Sequence, residues 1–303
     1  MEDMKIEDFG MVVADEIRII LGSEYTIEYK EVTKTNGVTY HALLIKKENE
    51  NIAPTIYIDS FYNSYKEGTD RKILVNDIIT LYRENVPKMG FDVSFFTDFS
   101  NACKHLSFKV MNYKRNKKEL MDIPYKKLED LALVPICLIT DDALGEGSIT
   151  IKNEHLRHWE VSFDELWENV WENAEVIAPV KCRGLFETVN SLHGGDLFDP
   201  EDFPRDMFVV SNTKETYGAA AAFYPGYLEK LSEELGKDLV VLPSSVHETI
   251  VMCAPDDRDG LDGLIRIVQE VNQSVICEED FLSESIYYYS MEDKKISAMN
   301  LER

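Results

Sequence analysis

The sequence predicts an α+β fold of mixed, largely antiparallel sheets with packed helices, arranged in two lobes. Apolar residues alternate over several short β-rich runs and recur at helical spacing over others, so both element types are present. Neighbouring strand runs are often joined by only a few residues, which permits antiparallel pairing and forbids a parallel crossover. The 303 residues, 44% hydrophobic and 29% charged, have ordinary globular composition and suffice for one large domain or two medium ones.

Residues 5–21 place Phe9, Val12, Val13, Ile17, Ile20 and Leu21 on one helical stripe, ended by Gly22. A hairpin follows: β-rich residues 25–29 and 38–45 flank Thr35-Asn36-Gly37, the strongest short turn signal in the chain. Residues 55–58 read as a third strand, with Asp59 or Ser60 placed to cap a short helix through Tyr65. The next helix, 70–85, is expected to turn Ile73, Ile78, Leu81 and Tyr82 inward. A helix at 95–104 leads to a strand at 106–111, and 128–151 reads as two or three strands around an acidic, glycine-rich turn at 141–147. Residues 153–159 form a short helix. Ser162 opens a longer one whose stripe of Phe163, Leu166, Trp167, Val170 and Trp171 has core spacing, and Pro179 stops it. Beyond residue 205 come a strand at 207–210, small-residue and amphipathic helices at 218–222 and 225–235, strands at 239–242 and 246–253, a helix at 260–271 and a closing hairpin.

Residues 191–205 hold two glycines, two prolines and several acids without periodicity, the composition of a linker. They divide the chain into an expected N-terminal α+β domain, 1–190, and a C-terminal α+β domain, 206–303. Charge is divided too. Residues 1–120 carry 17 basic and 19 acidic side chains, whereas 121–303 carry 15 and 37, so nearly all of the net −24 lies in the second part. Such a surface repels phosphates, which disfavours nucleic acid and anionic membranes as partners.

The acidic N-terminus is no signal peptide, and the longest apolar run, 131–139, is far short of a membrane span. Five scattered cysteines without a Cys-x-x-Cys pair argue against a disulfide framework or zinc site. A cytoplasmic protein without cofactor is expected. Phosphate-loop, dinucleotide-binding, nucleophile-elbow and His-Glu-x-x-His motifs are all absent, and the balance leans against an enzyme.

The most site-like segment is 242–248, which concentrates Ser244, Ser245, His247 and Glu248. Read as strand, it puts Ser245 and His247 on one face and Glu248 on the other, so a local triad is poor and a third group must come from elsewhere. Ser245, His247 and Glu248 are the catalytic candidates. Lys114, Arg115, Lys117 and Lys118, beside Asn112, Tyr113 and Asn116, form a basic knot and the anion-binding candidates. His155 and His158 share a helix face but have only Glu154 as a local third ligand, so no metal site is expected. The acid groups Asp141/Asp142, Asp199/Asp202 and Asp256/Asp257/Asp259 lack calcium-loop spacing, and Cys182 between Lys181 and Arg183 has no neighbouring base.

Four strings carry a resemblance: Pro54-Thr55-Ile56-Tyr57-Ile58-Asp59, Asn112-Tyr113-x-x-Asn116, Asn153-Glu154-His155-Leu156-x-x-Trp159, and Tyr224-Pro225-Gly226 through Leu242-Pro243-Ser244-Ser245-Val246-His247-Glu248. Together they resemble a bacterial family known only as a domain of unknown function and abundant in anaerobic gut bacteria. The resemblance spans nearly the whole chain and implies a full-length bacterial cytoplasmic member; it carries no activity or catalytic residues. The expected function is a non-enzymatic interaction protein whose acidic second half binds a basic protein, in its sharpest form as a mimic of nucleic-acid charge. The alternative is a hydrolase or transferase built around 242–248.

Overall fold

The computed structural model describes residues 4–48, 53–86, 94–141, 145–192, 199, 201 and 204–301. The fold is α+β, with three mostly antiparallel sheets. The chain forms two compact units, Met1–Val93 with Asp141–Gly145, and Ser94–Thr140 with Glu146–Arg303.

The first unit contains α1 (Ile6–Leu21), β1 (Tyr25–Thr33), β2 (Thr39–Lys47), β3 (Thr55–Tyr57), α2 (Asp59–Lys66) and α3 (Arg71–Asn85). Its sheet runs β1-β2-β3, each pair antiparallel. Asn36 takes the left-handed conformation, φ 62°, in the tight turn between β1 and β2, which is why an Asn-Gly pair sits there. Phe9, Val13 and Ile17 recur every turn of α1 and pack on Ile27, Leu43 and Ile45 of the sheet. Ile20 is displaced from that stripe and is exposed. On α3 the buried residues are Leu74, Val75, Ile78, Ile79 and Tyr82, whereas Ile73 and Leu81, expected inward, face solvent. Asp70 caps α3 by accepting from the Lys72 N–H. Neither Asp59 nor Ser60 caps α2, because Asp59 is engaged by His41 instead.

The remaining elements are α4 (Ser94–Thr97), α5 (Phe99–Ala102), β4 (Leu106–Asn112), α6 (Lys117–Leu120), β5 (Lys126–Leu128), β6 (Leu131–Asp141), β7 (Gly145–Thr150), α7 (Asn153–Trp159), α8 (Phe163–Ile177), β8 (Val180–Gly184), α9 (Leu185–Leu192), β9 (Met207–Asn212), α10 (Tyr227–Leu235), β10 (Leu239–Pro243), β11 (Thr249–Cys253), α11 (Arg258–Ser274), β12 (Ile286–Ser290) and β13 (Lys295–Met299). Residues 218–222, expected as a small-residue helix, lie in a 3-10 turn over Gly218–Phe223, and all five are buried. One sheet has the order β4-β6-β5, with β7 also paired to β6. The other runs β13-β12-β10-β11-β9-β8.

The large core lies against one face of this six-stranded sheet. Leu239 and Val241 of β10, Val251 and Tyr287 meet Trp167, Leu166 and Val170 of α8 and Phe108 of β4. On the opposite face Val240, Leu242 and Ile286 pack on Leu261, Ile265 and Val268 of α11. Both faces of β10 are therefore covered, and its five residues are all buried. Asp130, between β5 and β6, accepts hydrogen bonds from Ser283 (2.6 Å), Ser285 (3.0 Å) and Tyr287 (2.7 Å), tying that turn to β12 and the loop before it.

This sheet corrects the expected domain boundary. β8 precedes the acidic Gly/Pro stretch and β9 follows it, yet the two pair from Val180↔Asn212 to Gly184↔Phe208. Residues 206–303 thus share a sheet with 180–184 and do not form a separate domain. Within the stretch, residues 193–198, 200, 202 and 203 lie outside the described residues, as do 142–144 of the acidic turn. No helix among the described residues is long and apolar enough to cross a membrane.

Candidate functional site

The 242–248 segment leaves strand conformation after Pro243. Pro243 pairs with Thr249, so residues 244–248 are a hairpin loop rather than the start of β11. The Ser245 N–H donates to Glu248 O (3.1 Å), and Ser245 Oγ accepts from the His247 N–H (3.0 Å). Strand alternation does not apply inside such a turn. His247 and Glu248, expected on opposite faces, line the same pocket.

That pocket, about 290 Å³, is assembled by sheet register. β8 pairs with β9 as Lys181↔Ser211 and Arg183↔Val209, and Val209 pairs onward with Ile250 of β11. Residues directly opposite in paired strands share a face. Lys181, Arg183, Val209 and Ser211 therefore converge, and Glu215 joins them from the following turn. Lys181 donates to Glu215 and holds its carboxyl below the usual carboxylate range, with Arg183 adding to the effect. The His247 ring stacks on Tyr217 (centroids 6.4 Å apart), with Nε2 3.5 Å from Asp280.

The hydroxyls are committed elsewhere. Ser211 Oγ donates to the His247 carbonyl (2.8 Å), Thr188 Oγ1 to Gly184 O (3.0 Å) and Ser191 Oγ to Thr188 O (2.8 Å). An imidazole, two carboxylates and two cations meet here, but the pocket's hydroxyls give their protons to the backbone rather than to a base. The groups missed in the sequence, Lys181, Arg183, Ser211 and Glu215, had one readable signal: Lys181 and Arg183 sit two apart on a strand and must share a face.

The basic knot is organised differently. Asn112 Oδ1 accepts from the Arg115 N–H (2.9 Å), and its Nδ2 donates to Leu282 O (2.8 Å). The Arg115 guanidinium lies 3.8 Å from the Phe281 ring centroid, and Lys117 lies over Tyr113. Lys114 and Lys118 are exposed. The cations cover aromatic faces, as cation–π pairing favours, and α6 is a single turn with no side-chain cap.

His155 is half of a helix cap rather than of a metal site. Its Nδ1 accepts from the Lys152 N–H (3.0 Å), and its ring packs against Phe96 and Trp159. Burial lowers its pKa below the ordinary imidazole value. The unfolded chain then takes up the proton first as pH falls, so this contribution is complete above about pH 6.5 and is lost as pH drops through the lower folded-state value. Urea midpoints measured across that window are expected to fall for the wild type relative to His155→Gln, which keeps a capping acceptor without the titration. Among the other acids, Asp257 caps α11 through the Gly260 N–H (2.8 Å), and Asp199 accepts from the Glu201 N–H (3.0 Å). Cys137 is buried, its thiol pushed up to about 12 by burial, while Cys182 is exposed.

A family model described as a family of unknown function, DUF5688, matches residues 6–291. The chain belongs to this family. Neither a curated protein nor a solved structure matches it. The match reaches into both units of the DUF5688 chain and includes all four strings that carry the resemblance.

Two further features of this DUF5688 protein emerge from its geometry. On α8, Asp164, Glu165, Glu168, Glu172 and Glu175 are all exposed, and the helix contains no basic residue. At about 100° per residue they fall within a stripe of roughly 100°, opposite buried Leu166, Trp167 and Val170. In the first unit, Glu7, Glu31 and His41 bring ligand atoms within 4.8 Å of one another, the one such metal-competent group among the described residues.

Proposed function

We propose that this is a non-enzymatic, cytoplasmic bacterial interaction protein that docks a basic protein partner through the acidic surface of its second half. The α8 stripe carries the proposal. Its carboxylates are spaced three and four residues apart, so neighbours repel by about 0.2–0.5 kcal/mol per pair. Asp164 and Glu165 are favoured by the dipole in the first turn, but Glu175 stands in the last turn, where the dipole disfavours negative charge. The cost therefore falls on Glu168, Glu172 and Glu175. A feature that costs stability in the free protein is explained by a cationic surface that covers it. Five charges over about 16 Å of helix are roughly 4 Å apart on average, of the same order as the ~3.4 Å phosphate spacing along one DNA strand. That spacing supports the sharper form, mimicry of nucleic-acid charge.

The triple variant Glu168→Gln, Glu172→Gln, Glu175→Gln separates docking from a structural role. It is expected to gain about 0.5–1 kcal/mol in urea unfolding as repulsion is relieved. In parallel it loses capture of a basic protein that the wild type retains at low salt and releases at high salt. Capture that is insensitive to salt, or equal in the variant, overturns the proposal.

A hydrolase or transferase centred on His247 and Glu248 is the second reading, favoured by their convergence with Lys181 and Arg183 in one pocket. With the hydroxyls donating to carbonyls, it would take its nucleophile from water or a co-substrate.

A further inference from the structure

We propose that Glu7, Glu31 and His41 bind a divalent transition-metal ion of the zinc class, with Asp59 as the residue that positions His41.

The site is built by three local choices. The antiparallel register of β1 and β2 places Glu31 directly opposite His41, on the face that carries Ile27, Tyr29, Leu43 and Ile45. α1 covers this face and presents Glu7 one turn before Gly10. A Cβ on Gly10 would lie 2.5 Å from the Tyr29 ring and 3.0 Å from Ile58, so glycine lets the helix sit close enough for Glu7 to reach the strand pair. Asp59 follows β3 and grips His41 twice, its Oδ2 accepting from the backbone N–H (3.0 Å) and its Oδ1 lying 2.9 Å from Nδ1.

The chemistry of these groups selects a cation. An ionised carboxylate only accepts, so Asp59 assigns the proton to Nδ1 and leaves the Nε2 lone pair free, the arrangement that metal-binding histidines use. Glu7 Oε2 is sealed from solvent and accepts no hydrogen bond, and the hydroxyl of Tyr29, on the same face of β1 as Glu31, is likewise buried without a partner. No basic side chain pairs with Glu7 or Glu31 among the described residues. Three carboxylates around one imidazole, with a shielded and unpartnered oxygen, leave a concentration of negative charge that a dication neutralises. One nitrogen and few oxygens fit zinc-like ions rather than calcium or magnesium, which want six or more oxygens or mostly water. Ligands on a tetrahedral zinc ion lie roughly 3.5 Å apart, so ligand atoms already within 4.8 Å of one another need to close by no more than about 1.3 Å on binding. Three protein ligands leave the fourth position for water.

The test uses the full chain, stripped with a chelator and titrated with Zn²⁺ alone by calorimetry and with Co²⁺ by visible absorption. One equivalent per chain is expected, with Co²⁺ bands displaced by Zn²⁺ and no heat from Mg²⁺ or Ca²⁺. Glu31 is exposed, so Glu31→Gln keeps the fold, and it is expected to weaken Zn²⁺ at least about tenfold. His41→Ala abolishes binding. Asp59→Asn keeps the stoichiometry, weakens binding about ten- to hundredfold and shifts the Co²⁺ spectrum, a signature that a merely structural residue would not move. Absence of saturable Zn²⁺ binding overturns the assignment, as does binding of equal strength in Glu31→Gln or retained in His41→Ala.

Discussion

Trp167→Ala is expected to destabilise the second unit by about 3–5 kcal/mol, the range for deleting a large aromatic from a packed core. Trp167 has no solvent exposure and lies at the centre of the large core. Its ring packs on Trp171 (4.9 Å between centroids) and Phe108 (6.2 Å), and its Nε1–H donates to Pro124 O at 2.9 Å. Alanine removes the ring contacts, opens a cavity that α8 and β4 cannot close together, and leaves the Pro124 carbonyl without its donor. Trp167→Phe separates these losses. It keeps much of the packing and gives up the hydrogen bond, for an expected cost of about 1–3 kcal/mol. Guanidinium unfolding followed by circular dichroism measures both. A shift below about 1 kcal/mol for alanine would mean that the aromatic stripe of α8 is a surface rather than a core.

That stripe shows where local sequence signals suffice. Ser162 accepts from the Glu165 N–H (3.1 Å), acids fill the first turn, and one apolar face has helical spacing. These signals agree, and agreement between local levels makes an element readable. On α3 they do not settle the matter. Ile73 and Leu74 both begin plausible apolar stripes, and only the position of the sheet decides that Leu74, Ile78 and Tyr82 face it. The domain boundary was unreadable for another reason. Composition at 191–205 reports a solvated connection, but says nothing of whether the strands on either side pair with each other.

Register hides the sites as well. An Asn-Gly turn read as two residues would pair Thr35 with Val38 and set His41 opposite Val32. The actual turn is longer, closed by Lys34 N–H to Val38 O (2.7 Å), and pairs Thr33 with Thr39. That one-residue difference puts Glu31 and His41 together on the α1 face, since a slip by one exchanges the faces of a strand. The 242–248 segment was visible as a concentration of polar groups. Its cationic neighbours come from β8, some sixty residues earlier, through pairing that periodicity does not encode.

Gly218→Ala is expected to cost about 3 kcal/mol and to distort the pocket around His247. The added Cβ would lie 2.0 Å from Ser211 Oγ, 2.3 Å from the His247 carbonyl and 2.9 Å from the Asn212 nitrogen. Rotating Ser211 away relieves only the first contact, and it sacrifices the hydrogen bond from Ser211 to His247. The other two contacts are backbone, so the 3-10 turn must retreat from β9 and from the 244–248 loop, to which Ala219 N–H is bonded through Val246 O. Overpacking of this kind costs about 1–3 kcal/mol, with the upper end expected where backbone must move. Gly236→Ala is the control. Gly236 ends α10 at φ 67° with open space around it, so alanine there meets only the left-handed backbone penalty of about 1 kcal/mol. The two variants thus isolate steric displacement at the pocket from conformational strain at a helix end. Urea midpoints give the energies, and the His247 and Tyr217 ring resonances, which report their stacking, are expected to move in Gly218→Ala alone. If Gly218→Ala costs no more than Gly236→Ala and leaves those resonances unchanged, the 3-10 turn does not set the pocket wall.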